Sequence, residues 1–246
     1  MTMESGIFLV PSAPRFLKPH AVISVGECMD VEALQARFDG VPPDSYVAAG
    51  FRRKSICRMR VDRHAISVTE HGPLFQPKAY NPVHGDMVRH YPEMDRHLAS
   101  LVTPLVQIFA ACAQLRYEHE ILVQAQRITA TAGTDRATGY PVVEGWHQDN
   151  TAVLGIFLVN RVNVEGGVSL LSANRQGTSV VLEQALAVGE LLLIDDTSLW
   201  HNTTPITRAR ADAPAYRDVV LLTYPSCRAA APASADRQAA FARTAG

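Results

Sequence analysis

The chain has no long apolar run, no cysteine framework and almost no net charge. No apolar stretch approaches the roughly 18 residues a membrane-crossing helix needs, so a membrane-spanning protein is not expected. The four cysteines, Cys28, Cys57, Cys112 and Cys227, are scattered through 246 residues with no Cys-x-x-Cys pair. That spacing excludes a zinc ribbon and a disulfide-stapled secreted scaffold. Residues 1–11 lack the basic start and long apolar segment of a secretory leader. Reduced thiols in a cytoplasmic protein are therefore expected. A net charge of −1 argues against nucleic acid or an anionic membrane as partner, since both need a concentrated basic surface. Arg52, Arg53, Arg58, Arg60 and Arg63 do gather in sequence, but alternation along a strand would split them between two faces. There is no internal repeat. The length suits one domain with elaborations.

What is present is mostly β pattern. Residues 1–30, broken by Pro11, Pro14 and Pro19, read as an edge strand or extended lead-in. Val31 to Phe38 has helical spacing and stops at Asp39-Gly40-Val41-Pro42-Pro43. Arg52 to Val61 alternates polar and apolar residues as a strand does, and a short strand follows at 65–69. Residues 72–86 are loop-like. Residues 93–115 carry Leu98, Leu101, Val102, Leu105, Ile108, Phe109 and Cys112 at helical spacing. Pro104 lies inside this helix and predicts a kink or a break.

From Ile121 the pattern turns to short strands, at 121–130, 142–149, 151–159, 168–172, 178–182, 190–194, 201–206 and 217–224. Such spacing points to an all-β sandwich or barrel. The expectation is a mainly β fold with flanking helices and a double-stranded β-helix core, the cupin-like jelly roll. Residues 1–227 then form one domain, with the core at about 121–224 and N-terminal strands and helices over 1–120. Residues 228–246 form a tail rich in Ala, Arg and Ser, disordered or a short helix.

The stretch with chemistry in it is Glu144-Gly145-Trp146-His147-Gln148-Asp149-Asn150. On an extended strand His147 and Asp149 project to one face. A barrel can return His201, which follows the apolar run 191–194, to the same place. Two imidazoles and a carboxylate form the facial set of non-haem Fe(II) oxygenases, with the opposite side open. Arg217, just before the apolar run 219–222, would sit inside the barrel and need an anion. The distal carboxylate of a 2-oxo acid would serve, as would a structural acid such as Asp195, Asp196 or Asp218. Glu144 could pair with a substrate ammonium or be a solvated strand-entry carboxylate. Arg127, on the strand before the metal pair, could hold a substrate carboxylate or be structural. Gln76, Tyr80 and Asn81 could form a lid. Asp195-Asp196 reads as a strand-end turn. Two other classes remain open on these residues: a non-catalytic cupin-like binding protein, and a zinc hydrolase on the same ligands with Glu144 as base.

Further blocks occur in order: Phe75-Gln76 with Tyr80-Asn81, Gln126-Arg127-Ile128, the His147 stretch, 160–167 (NRVNVEGG), Leu193-Ile194-Asp195-Asp196, 201–206 (HNTTPI) and Arg217-Asp218-Val219. Over about residues 50 to 224 the chain resembles the bacterial 2-oxoglutarate/Fe(II) dioxygenases typified by L-isoleucine hydroxylases. The resemblance implies a jelly roll that uses Fe(II), 2-oxoglutarate and O₂, with ascorbate stimulating. It implies hydroxylation of a small-molecule substrate, a free aliphatic L-amino acid. By the same resemblance His147, Asp149 and His201 are the iron ligands and Arg217 holds 2-oxoglutarate, with Thr204 adding a hydroxyl. Asn150 stands where the family usually has Gly, and Trp146 where a smaller aliphatic residue is common. Both are therefore expected to shape the substrate pocket. The runner-up is the same machinery on a carrier-bound or modified substrate, or giving desaturation or cyclisation.

Overall fold

The computed structural model describes residues 19–62, 65–79, 83, 85–115, 119–130 and 138–227. Within them run β1 (His20–Ser24), α1 (Val31–Arg37), β2 (Arg52–Val61), β3 (Ile66–Val68), α2 (Arg96–Cys112), β4 (His119–Thr129), β5 (Thr138–Gly139) and β6 (Val153–Val162). These are followed by β7 (Val164–Gly166), β8 (Ser169–Ser172), β9 (Val180–Gln184), β10 (Glu190–Asp195), β11 (Trp200–Thr203), β12 (Ile206–Arg208) and β13 (Tyr216–Tyr224). A seven-stranded sheet has the order β1-β10-β6-β13-β4-β2-β3. Two three-stranded sheets, β11-β8-β9 and β5-β12-β7, complete the jelly roll. The named strand pairs are antiparallel.

Period-two alternation gives the large sheet two different faces. Cys57, Met59, Ile121, Val123, Ala125, Phe157, Val159, Val220 and Leu222 pack beneath α1 and α2. The other face packs partly against the small sheets. Leu154, Ile156, Leu158, Leu192 and Ile194 meet Leu171 of β8, and Ile128 meets Val164 and Ile206. Each fully buried Leu or Ile contributes roughly 1.5–3 kcal/mol relative to exposure. Between these apolar patches the second face is polar, and there lies the cavity described below.

Asp30 caps α1 by accepting from Ala33 N at 2.9 Å. Asp95 caps α2, accepting from His97 N at 3.0 Å and Leu98 N at 3.2 Å. Of the kink or break expected at Pro104, the break does not occur: α2 continues through it as one 17-residue helix. Leu98 and Val102 before the proline and Leu105 and Phe109 after it enter the same core. That shared burial outweighs the local cost of a helix proline, about 3 kcal/mol.

Two strand expectations also fail. The 201–206 strand is divided, because Pro205 offers no N–H to a ladder. Its first half, β11, pairs with β8, and its second, β12, pairs with β5 and β7. Residues 142–149 form a loop touching the β structure at a single bridge. The arginine cluster is indeed divided. Arg52 and Arg58 are buried, Arg53 is half-buried and Arg60 is exposed, while Arg63 lies outside the described residues. Also outside them are Tyr80, Asn81 and the tail 228–246. Among the described residues no helix is long and apolar enough to cross a membrane.

Candidate metal centre and its cavity

The loop carrying His147 and Asp149 is shaped at both ends by left-handed backbone. Gly145 has φ +74° and Asn150 has φ +62°, conformations that end a strand. Between them His147 and His201 exchange two backbone hydrogen bonds, His147 N to His201 O at 3.2 Å and His201 N to His147 O at 3.0 Å. This one bridge sets the two imidazoles side by side, with ring centroids 4.1 Å apart. The Asp196 carboxylate ties down the far side of the loop. Its Oδ2 accepts from Asp149 N at 2.9 Å, Thr151 N at 3.1 Å and Thr151 Oγ1 at 2.9 Å.

One ligand atom from each of His147, Asp149 and His201 lies within 4.8 Å of the others. His147 Nδ1 is 2.8 Å from Gly145 O. A carbonyl only accepts, so Nδ1 carries the proton and Nε2 is left to coordinate. Burial, then the neighbouring His201, push the His147 pKa down, which favours the neutral ligand form. Burial opposes charge on His201 as well, but the Asp196 and Asp149 carboxylates outweigh it and raise its pKa. His201 Nε2 lies 3.2 Å from Asp196 Oδ1, yet neither atom has a hydrogen-bond partner. Asp149 is also desolvated, and His147, His201, Gln76 and Lys54 together hold its carboxyl below the usual range. Gln76 Nε2 donates to Asp149 Oδ1 at 2.9 Å. The donor set fits a divalent iron: two imidazole nitrogens and one anionic oxygen.

The trio opens into a cavity of about 100 Å³. Arg217 lines it, 3% exposed, with Nε and Nη2 lacking any hydrogen-bond partner. Burial, then the neighbouring Arg161, pull its pKa down to about 10. The structural acids weighed for it are engaged elsewhere. Asp218 faces the other side of the sheet, Asp196 holds the metal loop, and Asp195 accepts from Thr197 N at 3.0 Å in the turn after β10. A buried guanidinium with open donors fits a carboxylate such as that of 2-oxoglutarate.

Glu144 lines the cavity too, but several other residues predicted to hold substrate or 2-oxoglutarate do not. Arg127 is a structural pair. Its Nε and Nη2 grip Asp218 at 2.7 and 2.8 Å, its Nη1 reaches Asp39 at 2.5 Å, and its guanidinium lies 4.1 Å over the Tyr216 ring. Odd and even residues of β4 face opposite ways, and Arg127 falls on the helix side. Thr204 Oγ1 accepts from Val168 N at 2.9 Å, and Thr203 lines the cavity in its place. Trp146 is seated against Gly177, where an added Cβ would come 2.1 Å from its Nε1. Asn150 is exposed and serves the turn. Asn tolerates φ > 0 better than most side chains, which suits it to this turn. The residues sequence reasoning missed are Arg52, Lys54, Arg89, Gln124, Gln126 and Thr203. Polar residues at every second place in apolar strands, Arg52 and Lys54 on β2 and Gln124 and Gln126 on β4, were the available signal.

Fold and cavity together define an Fe(II)- and 2-oxo-acid-dependent oxygenase. The chain belongs to the 2OG-Fe dioxygenase family, whose profile matches residues 35–223. Its chemistry uses Fe(II), 2-oxoglutarate and O₂. The chain is 22% identical over 203 residues to the 3(1)-hydroxy-L-isoleucine 4-dioxygenase of Pantoea ananatis (strain AJ13355), covering 79% of this chain and 81% of that protein. The fold is shared with a bsmA homolog from Methylobium petroleophilum PM1, at TM-score 0.72 and 23% identity over 88% of this chain and 92% of that one. It is shared also with IDO from Bacillus thuringiensis, at TM-score 0.66 and 17% identity over 84% and 93%.

Proposed function

We propose that this dioxygenase hydroxylates an unactivated C–H bond of a free L-amino acid or close derivative, while 2-oxoglutarate is decarboxylated to succinate. The observation that carries the reading is one cavity lined by both the His147–Asp149–His201 donor set and an Arg217 guanidinium with open donors. In this reading His147, Asp149 and His201 hold the iron, and Arg217 takes the distal carboxylate of 2-oxoglutarate. The bound metal, oxo acid and O₂ supply the oxidising power that side chains lack. The protein's own residues orient and enclose. Gln76 and Asp196 fix the Asp149 loop, and Leu154, Ile156, Val219 and Leu221 dry the floor. Glu144 places negative charge where a substrate ammonium could dock.

The Pantoea relative's name gives it a hydroxylated isoleucine as substrate, which supports a small amino acid as the reactant here. The reading takes residues 1–227 as one catalytic domain; within the described residues, β1, β2 and β3 complete the same sheet as β4 and β13. Ascorbate would stimulate turnover by keeping the iron ferrous. The test is succinate formation with Fe(II), ascorbate and 2-oxoglutarate against the free L-amino acids, with mass spectrometry of the products. One amino acid gaining 16 mass units (one oxygen atom), coupled to succinate, supports the reading. Succinate without an oxidised amino acid directs the search to larger or modified substrates. No succinate from iron-loaded protein overturns it.

A further inference from the structure

The cavity has a second cationic corner, apart from Arg217. Arg52 and Lys54 rise from alternate positions of β2, and Arg89 comes from the segment bridged to Leu74. All three are buried, at 5%, 7% and 3% exposure. Arg52 pairs with Ile128 on β4, and Ile128 with Arg217 on β13. Arg52 and Arg217 thus stand two strands apart, roughly 10 Å at ordinary strand spacing. Lys54 is one row further along, opposite Gln126.

Buried cations need counter-charge, and among the described residues this corner is short of it. Arg52 is matched by buried Asp44, Nε to Oδ2 at 2.5 Å. Arg89 gives Nη2 to Gln76 Oε1 and Nη1 to Tyr91 OH at 3.3 Å, both neutral acceptors, and its Nε has no partner. Lys54 makes no hydrogen bond or ion pair among the described residues, and its Nζ lies 4.5 Å from the centre of the Tyr91 ring. Of the other acids lining the cavity, Asp149 belongs to the candidate metal centre and Glu144 comes from the loop before His147.

We propose that Lys54, backed by Arg89, forms a carboxylate subsite for the prime substrate, separate from the Arg217 end. The occupant is then a free acid, not its ester, amide or thioester. The identity of that occupant rests on the hydroxylase reading; the need for an anion does not. Burial, then the Arg52 and Arg89 charges, pull the Lys54 pKa down to about 7. An incoming carboxylate supplies the missing counter-charge and holds the proton on Nζ. Gln76 spans Arg89 and Asp149, so the subsite adjoins the ligand loop.

The experiment uses acetate as the smallest carboxylate probe. Iron-loaded protein saturated with 2-oxoglutarate under anaerobic conditions is titrated with acetate, for wild type, Lys54→Met and Lys54→Gln. Loss of a charge-assisted contact should weaken acetate roughly tenfold or more, with 2-oxoglutarate affinity kept within about twofold. For the amino acid found to be turned over, KM should rise by a similar factor, and KM for its amide should be unmoved. Unchanged acetate binding in both variants, or no acetate binding to wild type, overturns the proposal. So does a loss that falls on 2-oxoglutarate, which would give this corner to the cosubstrate. If acetate depends on Lys54 but no amino acid is oxidised, the hydroxylase reading fails and the subsite stands. If an amino acid is oxidised with unchanged KM in both variants, the subsite fails and the reading stands.

Discussion

Two arginines in neighbouring rows of one sheet have opposite surroundings. On the helix face, Arg127 of β4 meets its cross-strand partner Asp218 of β13 in a two-pronged pair, and Asp39 adds a second acid. One residue away, on the cavity face, Arg217 makes no ion pair among the described residues, and Arg161 opposite it leaves Nη1 without a hydrogen-bond partner there. The pairing of Arg127 is internal, so its place is set by folding. In the proposed reading, the charges of Arg217 and Lys54 are balanced by what enters the cavity. A buried ion with its partner in the chain is read as structure, and one without is read as a binding group.

The largest effect should come from the metal trio. His147→Ala or Asp149→Ala should abolish Fe(II)-dependent succinate formation and weaken iron binding, while thermal unfolding shows a retained fold. Turnover surviving in either variant would remove that residue from the ligand set. The two arginines should then separate. Arg127→Ala leaves Asp218 buried without its partner and should cost about 3–5 kcal/mol of stability, read from denaturant midpoints, with little change in KM. Arg217→Ala should do the reverse. KM for 2-oxoglutarate should rise roughly ten- to hundredfold, with the prime substrate far less affected and stability unchanged or improved. Equal rises in both KM values would make Arg217 a structural residue and erase the contrast between the faces.

Lys54 sharpens the contrast through pH. Its folded pKa, about 7, lies below the ordinary 10.5, so between these values the unfolded chain binds more protons. Stability without ligand should therefore rise with pH across that window, and Lys54→Met should lack this rise. An identical pH profile in the variant would show that Lys54 is not desolvated. The smallest effects belong to the turn. Asn150→Gly should change stability by a few tenths of a kcal/mol, whereas Asn150→Val, forced to φ > 0, should lose about 1–2 kcal/mol.

Local pattern carried much of the fold. β2, α1, β4, β10 and β13 lie within a residue or two of where alternation, helical spacing and short apolar runs put them, because such patterns are properties of consecutive residues. The failures came where a distant contact outvoted the local signal. Pro104 stayed inside a helix that its core neighbours stabilise, and 142–149 became a loop because left-handed turns at Gly145 and Asn150 limit it to one bridge.

The site divides in the same way. The amino-acid sequence by itself determined the chemical inventory: two histidines and an aspartate suited to iron, an arginine at the head of an apolar strand, and the order of blocks that marks the family. Only the tertiary structure decided which charges find partners. It put Arg127 on Asp218, gave the cavity to Thr203 and not to Thr204, seated Trp146 on Gly177, and carried Lys54 and Arg89 to one corner. The reason is physical. A strand's own sequence sets which side chains share a face, but register with strands far away in the chain sets what each one meets.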